Sequence, residues 1–169
     1  MLPGLPQFVP QKVCLNCDGC CRFKDEHSIW RPKKGTDSSV PFFTFFPAKR
    51  GQTSLSPFLP TVTRKGQCQC AFFNAKDNTC GIYGHRPWEC QLYPFLFAQK
   101  EGNTVVAVHL ACPYIQQERH TPNFSQYVKR LKIYFDQSYV QKFLLKNKFL
   151  ATDYSAYDPE IEYLFPAIR

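Results

Sequence analysis

The chain predicts an α+β fold, small and irregular, with short hairpins and one long C-terminal helix in a single domain over residues 1–169. Three observations predict it. Short β-type runs separated by polar turns fill the middle of the chain, and one apolar stripe at helical spacing follows residue 121. The third is the cysteines, nine in all, in an early cluster and a later one. Loops this rich in thiols are expected to be held by metal, so the fold is expected to be metal-stabilised.

The elements follow in chain order. Residues 1–12 carry three prolines and read as an irregular lead-in. The motif core runs from 14 to 113. Its first cluster, 14–21, is a loop in which Gly19 gives the backbone freedom to wrap closely. Phe42 to Phe46, bracketed by Pro41 and Pro47, reads as a short buried strand. Cys70-Ala-Phe-Phe and Cys80-Gly-Ile-Tyr83 flank the polar Asn74 to Asn78 and read as a hairpin offering Cys70 and Cys80 to one side. Arg86-Pro87-Trp88-Glu89-Cys90 has proline and an acid where a helix begins, placing Cys90 on a short helix. Leu92 to Ala98 and Thr104 to Leu110 flank Lys100-Glu-Gly-Asn103, a hairpin signal that delivers Cys112-Pro113 past its end.

Thr121 is a capping residue and Pro122 suits the first helical position, so a helix is expected over about 122–146. Phe124, Val128, Leu131, Phe135, Tyr139 and Phe143 form its apolar stripe. Lys129, Lys132 and Lys146 then belong to a solvated face. The tail, 151–169, reads as irregular coil packing back on the body.

Composition narrows the classes of function. The opening residues lack a basic segment followed by an apolar run, and no stretch has the length to span a bilayer. A cytoplasmic location is therefore expected, with no membrane partner. There thiols stay reduced, and clustered cysteines hold metal more often than disulfides. Vicinal Cys20-Cys21 and the odd total also fit poorly with simple disulfide pairing. The formal charge is +8. Two tetrathiolate sites, each carrying roughly −2, would lower it to about +4, which does not by itself argue for nucleic acid.

Cys14-x-x-Cys17-x-x-Cys20 matches the first three positions of a bacterial ferredoxin run, but Lys24 stands where the fourth cysteine would be. A thioredoxin-like pair would not be followed by two more cysteines within four residues. Adjacent side chains in extended backbone point oppositely, so Cys20 and Cys21 are expected to serve two neighbouring sites, or one site and a supporting hydrogen bond. Eight cysteines complete two four-thiolate sites and leave Cys68 as the candidate spare. Zinc and iron–sulfur clusters both accept four thiolates, so spacing leaves the metal open. Arg86 is a candidate cofactor-side residue, because a guanidinium near clustered thiolates offsets their charge. His27, His85, His109 and His120 read as surface or hydrogen-bonding residues.

Taken together, Cys14-x-x-Cys17-x-Gly19-Cys20-Cys21, Cys70-Ala-Phe-Phe, Cys80-Gly-Ile-Tyr83, Arg86-Pro87-x-x-Cys90 and Cys112-Pro113 resemble the CxxCxxCC cysteine-cluster family. These are zinc- or iron-chelating proteins of the YkgJ type, mostly small and bacterial. The resemblance implies Cys14, Cys17, Cys20, Cys21, Cys70, Cys80, Cys90 and Cys112 as metal ligands. It also leaves Cys68 outside the pattern. Flagellin lysine methylases carry a similar cysteine region and look like iron–sulfur proteins, which favours a [4Fe–4S] cluster over zinc, or one of each.

The leading expectation is a metal-binding protein acting in redox chemistry or in cluster-assisted modification of a partner protein; whether the chain is itself an enzyme stays open. The alternative is a zinc-stabilised module in which Trp30, Lys33, Lys34, Trp88 and the lysine-bearing helix contact nucleic acid or protein. A metal-dependent hydrolase is disfavoured, because no His and carboxylate set leaves an open coordination position.

Overall fold

A computed structural model of the chain describes residues 7–17, 19–35 and 57–168. The strand expected over Phe42 to Phe46 lies outside them. Within them helices and small sheets combine as an α+β fold. The early half holds a short helix, α1 (Gln11–Cys14), and a three-stranded sheet of β1 (Arg22–Phe23), β2 (Thr61–Arg64) and β3 (Gln67–Cys70) in the order β1-β3-β2. A two-stranded ladder, β4 (Phe73–Asn74) with β5 (Thr79–Cys80), follows. Then come α2 (Trp88–Leu92) and the long hairpin β6 (Phe95–Lys100) and β7 (Asn103–His109). Three helices complete the body: α3 (Pro113–Glu118), α4 (Pro122–Phe135) and α5 (Ser138–Lys146).

The β6–β7 hairpin forms where its turn signal stands, in register from Phe95↔Val108 to Lys100↔Asn103. Glu101 and Gly102 both adopt positive φ, 51° and 78°, as a two-residue turn matching strand twist requires. Leu92, expected in the first strand, instead ends α2. Alternation along the strands covers both faces of the sheet. Phe95, Phe97, Val106 and Val108 face the large core with Phe124, Tyr127, Leu131 and Phe135 of α4. Leu96, Ala98 and Ala107 face a smaller core with Tyr154 and Ile161.

Two elements of the C-terminal half also differ from the sequence reading. The tail expected as coil supplies β8 (Thr152–Asp153), parallel to β6, and β9 (Ile161–Pro166), antiparallel to β7, giving the sheet order β8-β6-β7-β9. Its alternation was masked by Pro166 and a bulge opposite Val106 and Ala107.

The helix expected over 122–146 is two helices. Thr121 caps α4 as expected, its Oγ1 accepting from the Phe124 N–H at 3.3 Å. At Gln137, with ψ 136°, the backbone turns extended and restarts as α5. A straight helix of that length would run about 37 Å, against about 20 Å for a six-residue strand, so it would overshoot the sheet. The break folds Val140, Phe143 and Leu144 back into the core. Gln141 compensates it, its Nε2 donating to the carbonyls of Phe135 and Ala167 at 2.7 and 2.8 Å. Tyr139, expected in the buried stripe, is consequently exposed.

A strap crosses from the small sheet to the large one. Lys33 is buried, its Nζ donating to the carbonyls of Phe149 and Leu150 at 3.0 and 3.1 Å. Trp30 stacks between His109 and Tyr154, with ring centroids 4.1 and 5.1 Å away. Gly35 abuts Phe143 so closely that a Cβ there would lie 2.9 Å from the ring.

The helix break separates two aromatic positions that the stripe treats alike. Phe135→Ala should cost about 3–5 kcal/mol by urea denaturation, because Phe135 is 1 % exposed and packs on Trp88 and Phe165. Tyr139→Ser should stay within about 0.5 kcal/mol. Equal losses at the two positions would restore the single continuous stripe.

Candidate metal centre

Cysteines arrive at the centre on short, firmly seated segments. Cys14 ends α1, Cys17 follows one turn later, and Cys20 and Cys21 occupy the turn before β1. Cys70 ends β3, and its N–H donates to the Cys21 carbonyl at 2.9 Å, tying the two cysteine clusters together through backbone. Cys80 ends β5 opposite Phe73, Cys90 lies inside α2, and Cys112 immediately precedes α3. The expected Cys70–Cys80 hairpin is thus tighter: the ladder is Phe73-Asn74 with Thr79-Cys80, so Cys80 belongs to it while Cys70 belongs to the sheet before it.

Packing sorts the sulfurs into two groups. Cys70, Cys21, Cys80 and Cys90 lie against the small core of Phe23, Leu59, Phe72, Phe73 and Ile82. Cys14 and Cys112 lie against the large core. Cys17 belongs with the second pair, since its charge is felt at both Cys14 and Cys112. Cys20 stands where the groups meet, and it is felt at Cys14 and Cys112 as well as at Cys70, Cys80 and Cys90. Cys68 is buried in the small core as the ninth thiol.

The vicinal pair departs from expectation in its local geometry. Residues 20 and 21 form a turn, not an extended segment. Their side chains therefore approach each other, and the Cys21 thiol donates to Cys20. Cys20 is held below the ordinary thiol value by that hydrogen bond, by its own N–H and by Arg86. Cys21 is pushed up by giving that bond and by burial.

Five more thiols, Cys14, Cys70, Cys80, Cys90 and Cys112, are held in their protonated form. Burial first, and neighbouring sulfurs second, push Cys14 up to about 11. Burial also raises Cys70 to about 11, and it lifts Cys80, Cys90 and Cys112. Opposing this, nearby backbone N–H groups lower three sulfurs: Phe72 and Phe73 at Cys70, Ile82 at Cys80, and Tyr114 and Ile115 at Cys112. Such donors favour thiolates, so the pocket suits sulfur anions provided that a cation joins them.

Arg86 provides part of that positive charge. Its guanidinium lies 3.8 Å over the Tyr83 ring, Nε donates to the Tyr83 carbonyl at 3.1 Å, and its charge lowers Cys14, Cys20 and Cys80. Sequence reasoning missed what holds it there. Gln7 Oε1 accepts from Arg86 Nη2 at 3.0 Å and from the Tyr83 hydroxyl at 2.7 Å, while Gln7 Nε2 lies 3.9 Å from Cys14 Sγ. No local pattern marks Gln7. Tyr83, inside Cys-Gly-Ile-Tyr, was the only available signal.

Among the described residues, no three Cys, His, Asp or Glu side chains already close on one point as metal ligands would. The donor chemistry nevertheless fits by residue type: eight thiols clustered along two cores, backbone N–H groups near sulfur and the Arg86 guanidinium. Thiols of this kind suit either zinc or an iron–sulfur cluster. His27, His85 and His120 are exposed, and His109 is engaged with Tyr93 and Glu160 at 3.1 and 3.4 Å. Lys33 and Trp88 are both buried, so neither can form the nucleic-acid patch considered from sequence.

Glu89, beside Cys90, is raised from 4.5 to about 7 by burial, against the Lys33 N–H that reaches its Oε2 at 2.5 Å and the Lys33 charge. The folded chain therefore keeps a proton that the unfolded chain releases, so this stability contribution is full below pH 4.5 and is lost as pH rises to about 7. Thermal melts of metal-loaded wild type and Glu89→Gln should diverge across that window, the variant lacking the decline; parallel curves would refute the assignment. A second measurement separates the spare thiol from the eight. Metal content per chain should survive Cys68→Ala and fall with Cys80→Ala or Cys112→Ala.

Residues 13–113 match the family CxxCxxCC, described as "Putative zinc- or iron-chelating domain". No curated protein and no solved structure matches the chain. Among the described residues no helix is long and apolar enough to cross a membrane.

Proposed function

The chain belongs to the CxxCxxCC family, and from that premise we propose that its eight cysteines hold iron–sulfur as two adjoining four-thiolate sites. Cys14, Cys17, Cys20 and Cys112 form one, and Cys21, Cys70, Cys80 and Cys90 the other. The observation that supports the reading is that Cys20 is felt electrostatically by thiols packed on both cores, with Cys21 beside it against the small one. Bound there, iron–sulfur supplies one-electron chemistry. The role is electron transfer, or cluster-assisted modification of a partner protein, in a compartment that keeps cysteines reduced.

The chain's own groups have definable parts in this. The N–H donors at Cys70, Cys80 and Cys112 stabilise negative charge on sulfur, which eases acceptance of an electron. Arg86, clamped by Gln7 and Tyr83, adds a fixed positive charge beside Cys14, Cys20 and Cys80. Phe72, Phe73, Ile82 and Leu59 exclude water from one group. A second reading, a zinc-stabilised binding module, uses the same donors and draws support from exposed apolar side chains on α4 and α5.

Anaerobic purification, an absorbance spectrum, and iron, sulfide and zinc analysis of one sample decide between them. A brown protein bleached by dithionite, with iron and sulfide in equal amounts, is expected. A colourless protein with stoichiometric zinc would overturn the redox reading. Metal binding at such sites is worth about 10–16 kcal/mol in small peptides, comparable to the stability of a whole domain at about 5–15 kcal/mol. Chelation should therefore collapse hydrogen-exchange protection in 14–21 and 67–90 while α4 keeps its own.

A further inference from the structure

The break between α4 and α5 leaves large apolar side chains facing outward. Ile133, Tyr139, Leu145 and Phe149 are 62, 41, 50 and 43 % exposed, although α5 already commits Val140, Phe143 and Leu144 to the core. Helical spacing places Tyr139, Lys142, Leu145 and Lys146 along one outward strip, which Phe149 continues a turn later. A helix apolar on two faces is characteristic of an element covered on both sides. The strip is also one-signed. Between residues 129 and 149, six Lys and Arg stand against Asp136 alone, and Asp136 is paired with Lys132 at 3.4 Å.

We infer that this face docks an acidic, amphipathic segment of a partner protein. Carboxylates of that segment meet Lys142 and Lys146, and its apolar side chains cover Tyr139, Leu145 and Phe149. Charge complementarity selects the occupant. An anionic lipid surface would need the cations at the flanks of an apolar face, whereas Lys142 and Lys146 lie between the apolar residues and would be carried into the acyl region. A nucleic acid would satisfy the lysines but would leave aliphatic Ile133 and Leu145 against phosphate, with nothing gained from their burial. A protein segment alternating acids with leucines satisfies both sets, in the manner of a helix laid on an amphipathic face. None of the eight clustered cysteines lies on this surface. It stands whichever metal the centre holds, so its failure and the failure of the iron–sulfur reading are separate results.

The test uses the metal-loaded full chain and a fluorescent helical peptide carrying Glu and Leu on one face. Phosphatidylglycerol vesicles and a duplex DNA serve as competing probes. Saturable peptide binding is expected, weakening with added salt. Lys142→Glu with Lys146→Glu, and separately Leu145→Ser with Phe149→Ser, should each reduce affinity about tenfold or more. Both double variants should keep wild-type circular dichroism and metal content, and a peptide with Lys in place of Glu should recover binding to the charge-reversed one. The proposal is overturned by no peptide binding, by binding that both double variants retain, or by tighter binding to vesicles or DNA. It is equally overturned if the peptide binds only after Phe42, Phe43, Phe45 and Phe46 are changed to Ser, which would assign the face to the chain itself.

Discussion

The cost of ionising clustered, partly buried thiols is the constraint that the rest of this structure answers to. Eight sulfurs drawn from five segments cannot ionise together in a half-buried site unless positive charge is brought to them. Burial first, and neighbouring sulfurs second, hold most of them as thiols, with Cys14 and Cys70 near 11. The chain supplies partial remedies: amide donors at Cys70, Cys80 and Cys112, and the clamped guanidinium of Arg86. One guanidinium against eight sulfurs leaves the balance to a metal. That is why the cysteine segments are short, turn-rich and seated on two cores, while the long helices carry none of them.

The large sheet is the frame that makes this possible. Both of its faces are covered, so β6 and β7 read as nearly continuous apolar runs. The hairpin leads out through His109 to Cys112, and the strap through Trp30 and Lys33 fixes the small cysteine-bearing core against the same sheet. Lys33 is an instructive case. A buried ammonium is costly, and desolvation lowers it, yet two carbonyls and Thr152 Oγ1 accept its protons. It joins the first third of the chain to the last.

Much of this was legible in the sequence because it is local. The Glu-Gly turn, the Thr-Pro helix start, Cys90 on a helix and the cysteine pattern itself depend on neighbours a few residues apart. What could not be read depends on distant partners. Whether Tyr139 is buried is decided by the break at Gln137, and the break by the width of a sheet whose last strand comes from the tail. Gln7 has meaning only beside Tyr83 and Arg86. Strand geometry sends vicinal side chains apart, and the turn at Cys20-Cys21 reverses the consequence: their sulfurs meet instead of diverging.

Strand β9 also sets an order of events during synthesis. All eight clustered cysteines emerge from the ribosome some fifty residues before Ile161–Pro166 can pair with β7. Until then β7 is a bare edge, rich in valine, beside loops competent to take up metal. Such an edge is a template for pairing with another nascent chain. A centre filled early would therefore ripen on an unsealed sheet, and the yield of correctly assembled protein would depend on how quickly the last strand arrives.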